Sequence, residues 1–163
     1  MVSWILRQLQ NIFVYQPIIE QKSIRVIDPP LFDTVFFEVR TRCNGVCEFC
    51  LAAVQTDPRK DEKMAPEVHE KVLQDLKDIN FKGRIAYHNN SDPLIFKDLV
   101  DYIAVARNFF PDNKIQILTN GKALSSKKAE ELIKVGVNEL IINFYHDDPN
   151  AEYPDVFKEI ANT

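Results

Sequence analysis

From residue 34 onward the sequence alternates strand-like and helix-like segments four times, and this alternation leaves the chain very few folds. Thr34 to Val39 (TVFFEV), Arg84 to His88 (RIAYH), Lys114 to Leu118 (KIQIL) and Asn138 to Asn143 (NELIIN) are short runs rich in β-branched, aliphatic and aromatic residues, the composition of strands. Between them, apolar residues recur at helical spacing. A first helix is expected from about Pro66, a residue suited to the first helical position, to Ile79, with Val68, Val72, Leu76 and Ile79 on one face. A second runs from Phe96 to about Phe110, with Leu99, Ile103, Ala106 and Phe110 inward. Ser125 or Ser126 caps a third through Val135, where Gly136 offers a left-handed stop. A fourth starts at Tyr153 and reaches Ile160. Strands that alternate with helices pair in parallel through right-handed crossovers. The expected class is therefore α/β, a partial (βα) barrel of parallel strands with the helices outside.

Residues 1–31 read as an N-terminal extension to a main domain of residues 32–163. Ile5, Leu9, Ile12 and Phe13 could form one helical stripe, Ser23 to Ile27 a short strand, and Pro29-Pro30 ends any regular element. At 163 residues the chain can build a real core. A net charge of −4 gives no footprint for nucleic acid, and no apolar run is long enough for a membrane span.

All three cysteines lie in one stretch, Arg40-Thr41-Arg42-Cys43-Asn44-Gly45-Val46-Cys47-Glu48-Phe49-Cys50, at the spacing C-x-x-x-C-x-x-C. An odd number of thiols this close together does not read as a disulfide framework, and a reducing, cytoplasmic compartment suits them. Asn44-Gly45 is a turn dipeptide, so the segment curls and can aim its sulfurs at one region. Metal binding is the natural reading. Structural zinc closes four ligands, and only the distant His69, His88 or His146 could supply a fourth. An iron–sulfur cube takes thiolates, and three would leave one iron open. Three ordinary buried thiols are the remaining alternative.

Ligands of parallel α/β proteins bind beyond the carboxyl ends of the strands, and polar residues gather at all four ends here. The cysteines follow the first strand, His88-Asn89-Asn90-Ser91-Asp92 the second, Thr119-Asn120-Gly121 the third, and Asn143 with His146-Asp147-Asp148 the fourth. Each loop alone also fits ordinary turn chemistry. Asp92 could cap the helix after Pro93, and His146-Asp147 could be a loop hydrogen bond. His88 fits a hydrogen-bonded strand end, His69 a solvent-facing helix position, and Arg59 to Lys63 a solvated loop.

The cysteine loop resembles the radical SAM signature C-x-x-x-C-x-aromatic-C, with Phe49 at the aromatic position. The resemblance implies that Cys43, Cys47 and Cys50 hold a [4Fe-4S] cluster whose fourth iron binds S-adenosylmethionine. Reductive cleavage of that cofactor yields a 5′-deoxyadenosyl radical that abstracts hydrogen from substrate, with electrons from a donor such as a flavodoxin or ferredoxin. Phe49 would lie against the adenine. Asn90-Ser91-Asp92-Pro93-Leu94 stands where the family has a G-G-E-P-like segment that contacts the methionine amino group, with Asp92 as the acid and both glycines replaced. Thr119-Asn120-Gly121 resembles the T-N-G of the branch with peptide-modifying (SPASM-type) members, which tilts the expected substrate toward a peptide, a small molecule remaining open. Asn143 would contact the ribose. The family core has six strand–helix units against about four here, so the expectation is a truncated member, or half of a site completed by another chain. A non-catalytic iron–sulfur or S-adenosylmethionine-binding module and a structural zinc protein are the alternatives.

Overall fold

The computed structural model describes residues 32–53, 57–145, 152 and 154–161. The expectations for residues 1–31, and for His146, Asp147 and Tyr153, lie outside them. Four strands, β1 (Thr34–Phe37), β2 (Arg84–Tyr87), β3 (Ile115–Thr119) and β4 (Glu139–Ile142), form one sheet in the order β1-β2-β3-β4, every pair parallel. The crossovers are the helices α1 (Pro66–Asp78), α2 (Leu99–Phe109) and α3 (Ser126–Lys134), and α4 (Asp155–Ala161) follows β4. Sequential strand order with right-handed crossovers puts the helices on one face of the sheet. The result is the partial (βα) barrel of parallel strands expected from the sequence.

The pleat then sorts the side chains. Phe37, Ile85, Tyr87, Ile115, Ile117 and Thr119 face the helices and are buried, while Phe36, on the inner face, is 53% exposed. The core lies between sheet and helices, where Leu73, Leu76, Leu99, Ile103, Ala106 and Leu132 meet those strand residues. Each fully buried aliphatic side chain contributes about 1.5–3 kcal/mol. The inner face instead carries Glu38, His88, Asn120 and Asn143 toward the carboxyl ends by the same alternation. Nearer its other end, Gln116 donates to Glu139, and Arg84 lies 3.9 Å from Glu139.

Local chemistry sets the element ends. Ser125 caps α3 by accepting from Lys128 N, and Gly136 at φ +98° stops the chain just after it. The second helix starts later than periodicity suggests. Asp92 accepts from Leu94 N and seeds a one-turn 3-10 segment, Pro93–Ile95, which uses up the residues before Leu99.

The inner face of α1 differs from the expected one. Val68 is 52% exposed, and His69, Leu73 and Leu76 are buried. His69 is therefore a core residue and not a solvent-facing one, at 1% exposure. Its ring packs between Phe37, Tyr87 and Tyr102 at centroid distances of 4.9, 5.9 and 4.6 Å. The Tyr87 hydroxyl donates to the Tyr102 carbonyl at 3.3 Å, which leaves its oxygen to accept from His69 Nε2 at 2.9 Å. Burial lowers the imidazole pKa to about 4, so His69 stays neutral.

Candidate active site

The cysteine loop leaves the end of β1 as an arch closed at its base. Arg40 and Lys63 form an antiparallel bridge, Thr41 N donates to Glu62 O at 2.9 Å, and Met64 N donates to Val39 O at 3.0 Å. The charged run after the arch is thus more than a solvated loop. Residues 60–63 are exposed, yet Arg40 pairs with Asp61 at 2.7 Å, and Arg59 pairs with Asp57 at 2.8 Å and Glu38 at 2.7 Å. The Arg59 guanidinium holds the Asp57 carboxyl down at about 2.

Within the arch, Cys43, Cys47 and Cys50 all lie outside any disulfide and are all half-buried. Cys50 N donates to Cys47 O at 3.0 Å, closing a tight turn between the last two. Gly45 shows how the first two converge. A Cβ built there would sit 3.3 Å from Cys43 Sγ, 3.5 Å from Cys47 Sγ and 3.6 Å from Asn120 Nδ2. A Cβ at 45 would crowd the Cys43 sulfur and lie in van der Waals contact with that of Cys47. Burial pushes the Cys43 thiol pKa up, opposed by the Gly45 N–H. Among the described residues, no three His, Cys, Asp or Glu side chains are gathered tightly enough for a single metal ion. Three cysteines on one curled loop are the kind of donor set that an iron–sulfur cluster takes.

The β2 and β3 ends are joined to this arch by hydrogen bonds. Asp92 is buried, and both carboxylate oxygens are engaged: Oδ1 accepts from Leu94 N at 2.9 Å, and Oδ2 from Thr119 Oγ1 and Asn120 N, each at 2.8 Å. Asn120 then reaches across to the arch, with Nδ2 donating to Asn44 Oδ1 at 2.8 Å and to Cys43 Sγ at 3.5 Å. Thr119 Oγ1 also accepts from Gly121 N at 3.1 Å. Asn90 is exposed and Ser91 half-exposed, and the Asn90 carbonyl accepts from Arg59 at 3.5 Å.

Phe49 is 70% exposed and meets Tyr145 edge to face at 5.0 Å. The two rings, with Val46, Cys47, Lys122 and Phe144, line a cleft of about 700 Å³. A second cleft of about 310 Å³ continues past Cys47, Asn120 and Asn143. Asn143 is half-buried and tied by its backbone N to Thr119 O at 2.8 Å. His88 packs edge-on against Phe36 at 4.8 Å, and burial lowers its pKa. Cys43, Asn120 and Asp92 therefore form one connected set, Phe49 and Asn143 flank it across the clefts, and Asn90 and Ser91 stand on its rim.

Sequence reasoning missed Glu38, Asn44 and Tyr145. Glu38 takes Arg59 on Oε2, while its buried Oε1 has no hydrogen-bond partner among the described residues. The two-residue period from Thr34 through Phe36 was the signal that put it on the inner face.

A sequence model of the radical SAM superfamily matches residues 37–162. The chain belongs to the radical SAM superfamily. Membership implies S-adenosylmethionine and an iron–sulfur cluster as cofactors. The S-adenosyl-L-methionine-dependent 2-deoxy-scyllo-inosamine dehydrogenase of Niallia circulans is 27% identical over 131 residues, covering 80% of this chain and 52% of that protein. The crystal structure of BtrN in complex with AdoMet and 2-DOIA superposes at TM-score 0.68 and 25% identity, over 81% of this chain and 51% of that one. Selenomethionine BtrN in an open conformation gives 0.65 at 26%, over 74% and 53%. HydG, a maturase of the [FeFe]-hydrogenase, gives 0.50 at 18% over 69% and 26%, a likeness of fold alone. This radical SAM chain spans about half the length of the dehydrogenase and of BtrN. No helix among the described residues is long and apolar enough to cross a membrane.

Proposed function

We propose that this chain carries the cofactor-binding part of a radical SAM enzyme whose substrate is a small polar molecule. The observation that carries the reading is the arch of three cysteines, with Cys43 and Cys47 converging over Gly45 at the end of β1. Cys43, Cys47 and Cys50 would hold a [4Fe-4S] cluster with one iron left for S-adenosylmethionine. When bound, this pair supplies reductive cleavage of the sulfonium and so starts radical chemistry.

The protein's own part is binding, orientation and exclusion of water. Phe49 and Tyr145 offer two aromatic surfaces to the adenine, and Asn143 a polar contact to the ribose. Asp92 is already satisfied by three donors, so its role is to fix the strand ends. Contact with the methionine portion falls to Asn90 and Ser91 beside it. Glu38 and His88 share the inner face and are the groups assigned to substrate. A buried carboxylate oxygen without a partner is costly unless something donates to it, and a substrate hydroxyl or ammonium would. A small-molecule substrate is preferred to a peptide because the curated relative is named for an amino-cyclitol. An electron donor such as a flavodoxin or ferredoxin completes the requirement.

The test is anaerobic reconstitution of the 163-residue chain, followed by S-adenosylmethionine and reductant. Iron and sulfide in equal amounts with 5′-deoxyadenosine formed is the expected result, and a colourless protein without sulfide overturns it. The second reading is a cluster-binding module without turnover. Bound iron and sulfide without 5′-deoxyadenosine would select it.

A further inference from the structure

We infer that Asn120 is a positioning residue for the cluster, whose amide N–H donates to the Cys43 sulfur and so sets how readily the cluster takes up an electron. The inference rests on the cluster reading above and goes beyond it by naming what tunes the site.

The orientation of the Asn120 amide is fixed by its neighbours. Its Oδ1 accepts from Lys122 N at 2.9 Å, a bond that an NH₂ group could not make. The amide nitrogen must therefore be the atom turned toward the arch, where it donates to Asn44 Oδ1 at 2.8 Å and approaches Cys43 Sγ at 3.5 Å. Gly45 N donates to the same sulfur at 3.2 Å. Cys43 thus accepts from two N–H groups, one on its own loop and one from the end of β3.

Asn120 is itself held from behind. Its backbone N donates to the buried Asp92 carboxylate at 2.8 Å, and the adjacent Thr119 hydroxyl donates to the same oxygen. A chain of contacts therefore runs from β2 through β3 to one cysteine. Reduction puts extra negative charge on the cluster and its sulfurs, and N–H donors to a thiolate stabilise that state and raise the potential. Removing one of two donors from Cys43 must lower it. The side chain also clamps Asn44, so its loss frees the arch and speeds loss of iron.

Asn120→Ala and the near-isosteric Asn120→Asp separate tuning from simple loss of structure. Asp keeps the acceptor for Lys122 N and replaces the donor by a carboxylate oxygen facing the thiolate. Wild-type and variant chains are reconstituted anaerobically and titrated potentiometrically with EPR detection, then challenged with an iron chelator. Near-UV circular dichroism reports that each is folded. The expected result is a reduction equilibrium about tenfold less favourable in Asn120→Ala, about 59 mV for a one-electron couple, a larger drop in Asn120→Asp, and several-fold faster iron release in both. Equal potentials in wild type and Asn120→Asp, both loaded and folded, overturn the inference and leave the cluster reading standing. A wild-type chain that takes up no iron or sulfide overturns both.

Discussion

The conversion Asp92→Asn is the sharpest probe of how the site is held together. The carboxylate is buried and accepts three hydrogen bonds, from Leu94 N, Thr119 Oγ1 and Asn120 N. An amide can place its oxygen on only one side. With that oxygen kept toward Thr119 and Asn120, the new NH₂ faces the Leu94 N–H, and a buried donor loses its partner at about 1–3 kcal/mol. The two surviving bonds change from charge-assisted to neutral and lose roughly half their strength. The sum is a destabilisation of about 2–4 kcal/mol, or a fall of roughly 10 °C in Tm for a chain of this size. Urea denaturation of the unloaded chain measures it. Asp92→Ala should cost more, because all three donors are stranded. A cycle with Thr119→Val should return a coupling of about 1–2 kcal/mol. An Asp92→Asn chain within about 0.5 kcal/mol of wild type, with no coupling to Thr119, would refute the argument that this acid is spent on the strand ends.

The remaining predictions concern the core, the arch and one surface staple. His69 is neutral when folded, with its pKa lowered by burial to about 4 against about 6.5 when unfolded. The unfolded chain binds the extra proton between those values, so stability is fully present above pH 6.5 and lost as pH falls toward 4. Its contribution should drop by about 2 kcal/mol between pH 7 and pH 5, and His69→Gln should flatten that part of the wild-type profile in urea titrations. Gly45→Ala should leave the melting temperature within a few degrees of wild type yet cut iron uptake severalfold, because the methyl group would crowd the Cys43 sulfur and fill the space between it and that of Cys47. Arg107 donates to the carbonyls of Phe110, Pro111 and Asn113 at 2.8–2.9 Å and to Asn138 Oδ1 at 2.7 Å. Arg107→Lys, with no planar fork, should lower stability by about 1–2 kcal/mol, and chemical denaturation would show it.

Much of this arrangement was legible in the sequence because it rests on periodic or local signals. The strand–helix alternation gave the four parallel units, and three cysteines within eight residues gave the arch. Gly136 marked the end of α3 because a left-handed stop is a property of one residue. What escaped depends on partners distant in sequence. His69 looked like a surface position because Tyr87, whose hydroxyl accepts a hydrogen bond from its ring, is 18 residues away on the next strand. Val68 took its place in the expected stripe because apolar character alone cannot tell a buried imidazole from an exposed valine one step around the helix. Asp92 was legible as a cap through its bond to Leu94. Its second oxygen serves β3, 27 and 28 residues on, and no local pattern carries that information.

The pleat of the sheet has a consequence for how such a protein can change. Thr119 and Asn120 are adjacent, yet one is anchored in the wall and the other reaches the cysteine arch. The same split separates Phe36 from Phe37 and Leu118 from Ile117. A lineage could swap residues on the hollow side, altering what fits there, without disturbing the oily interior behind. New specificities can therefore arise one substitution at a time on a scaffold that barely registers them.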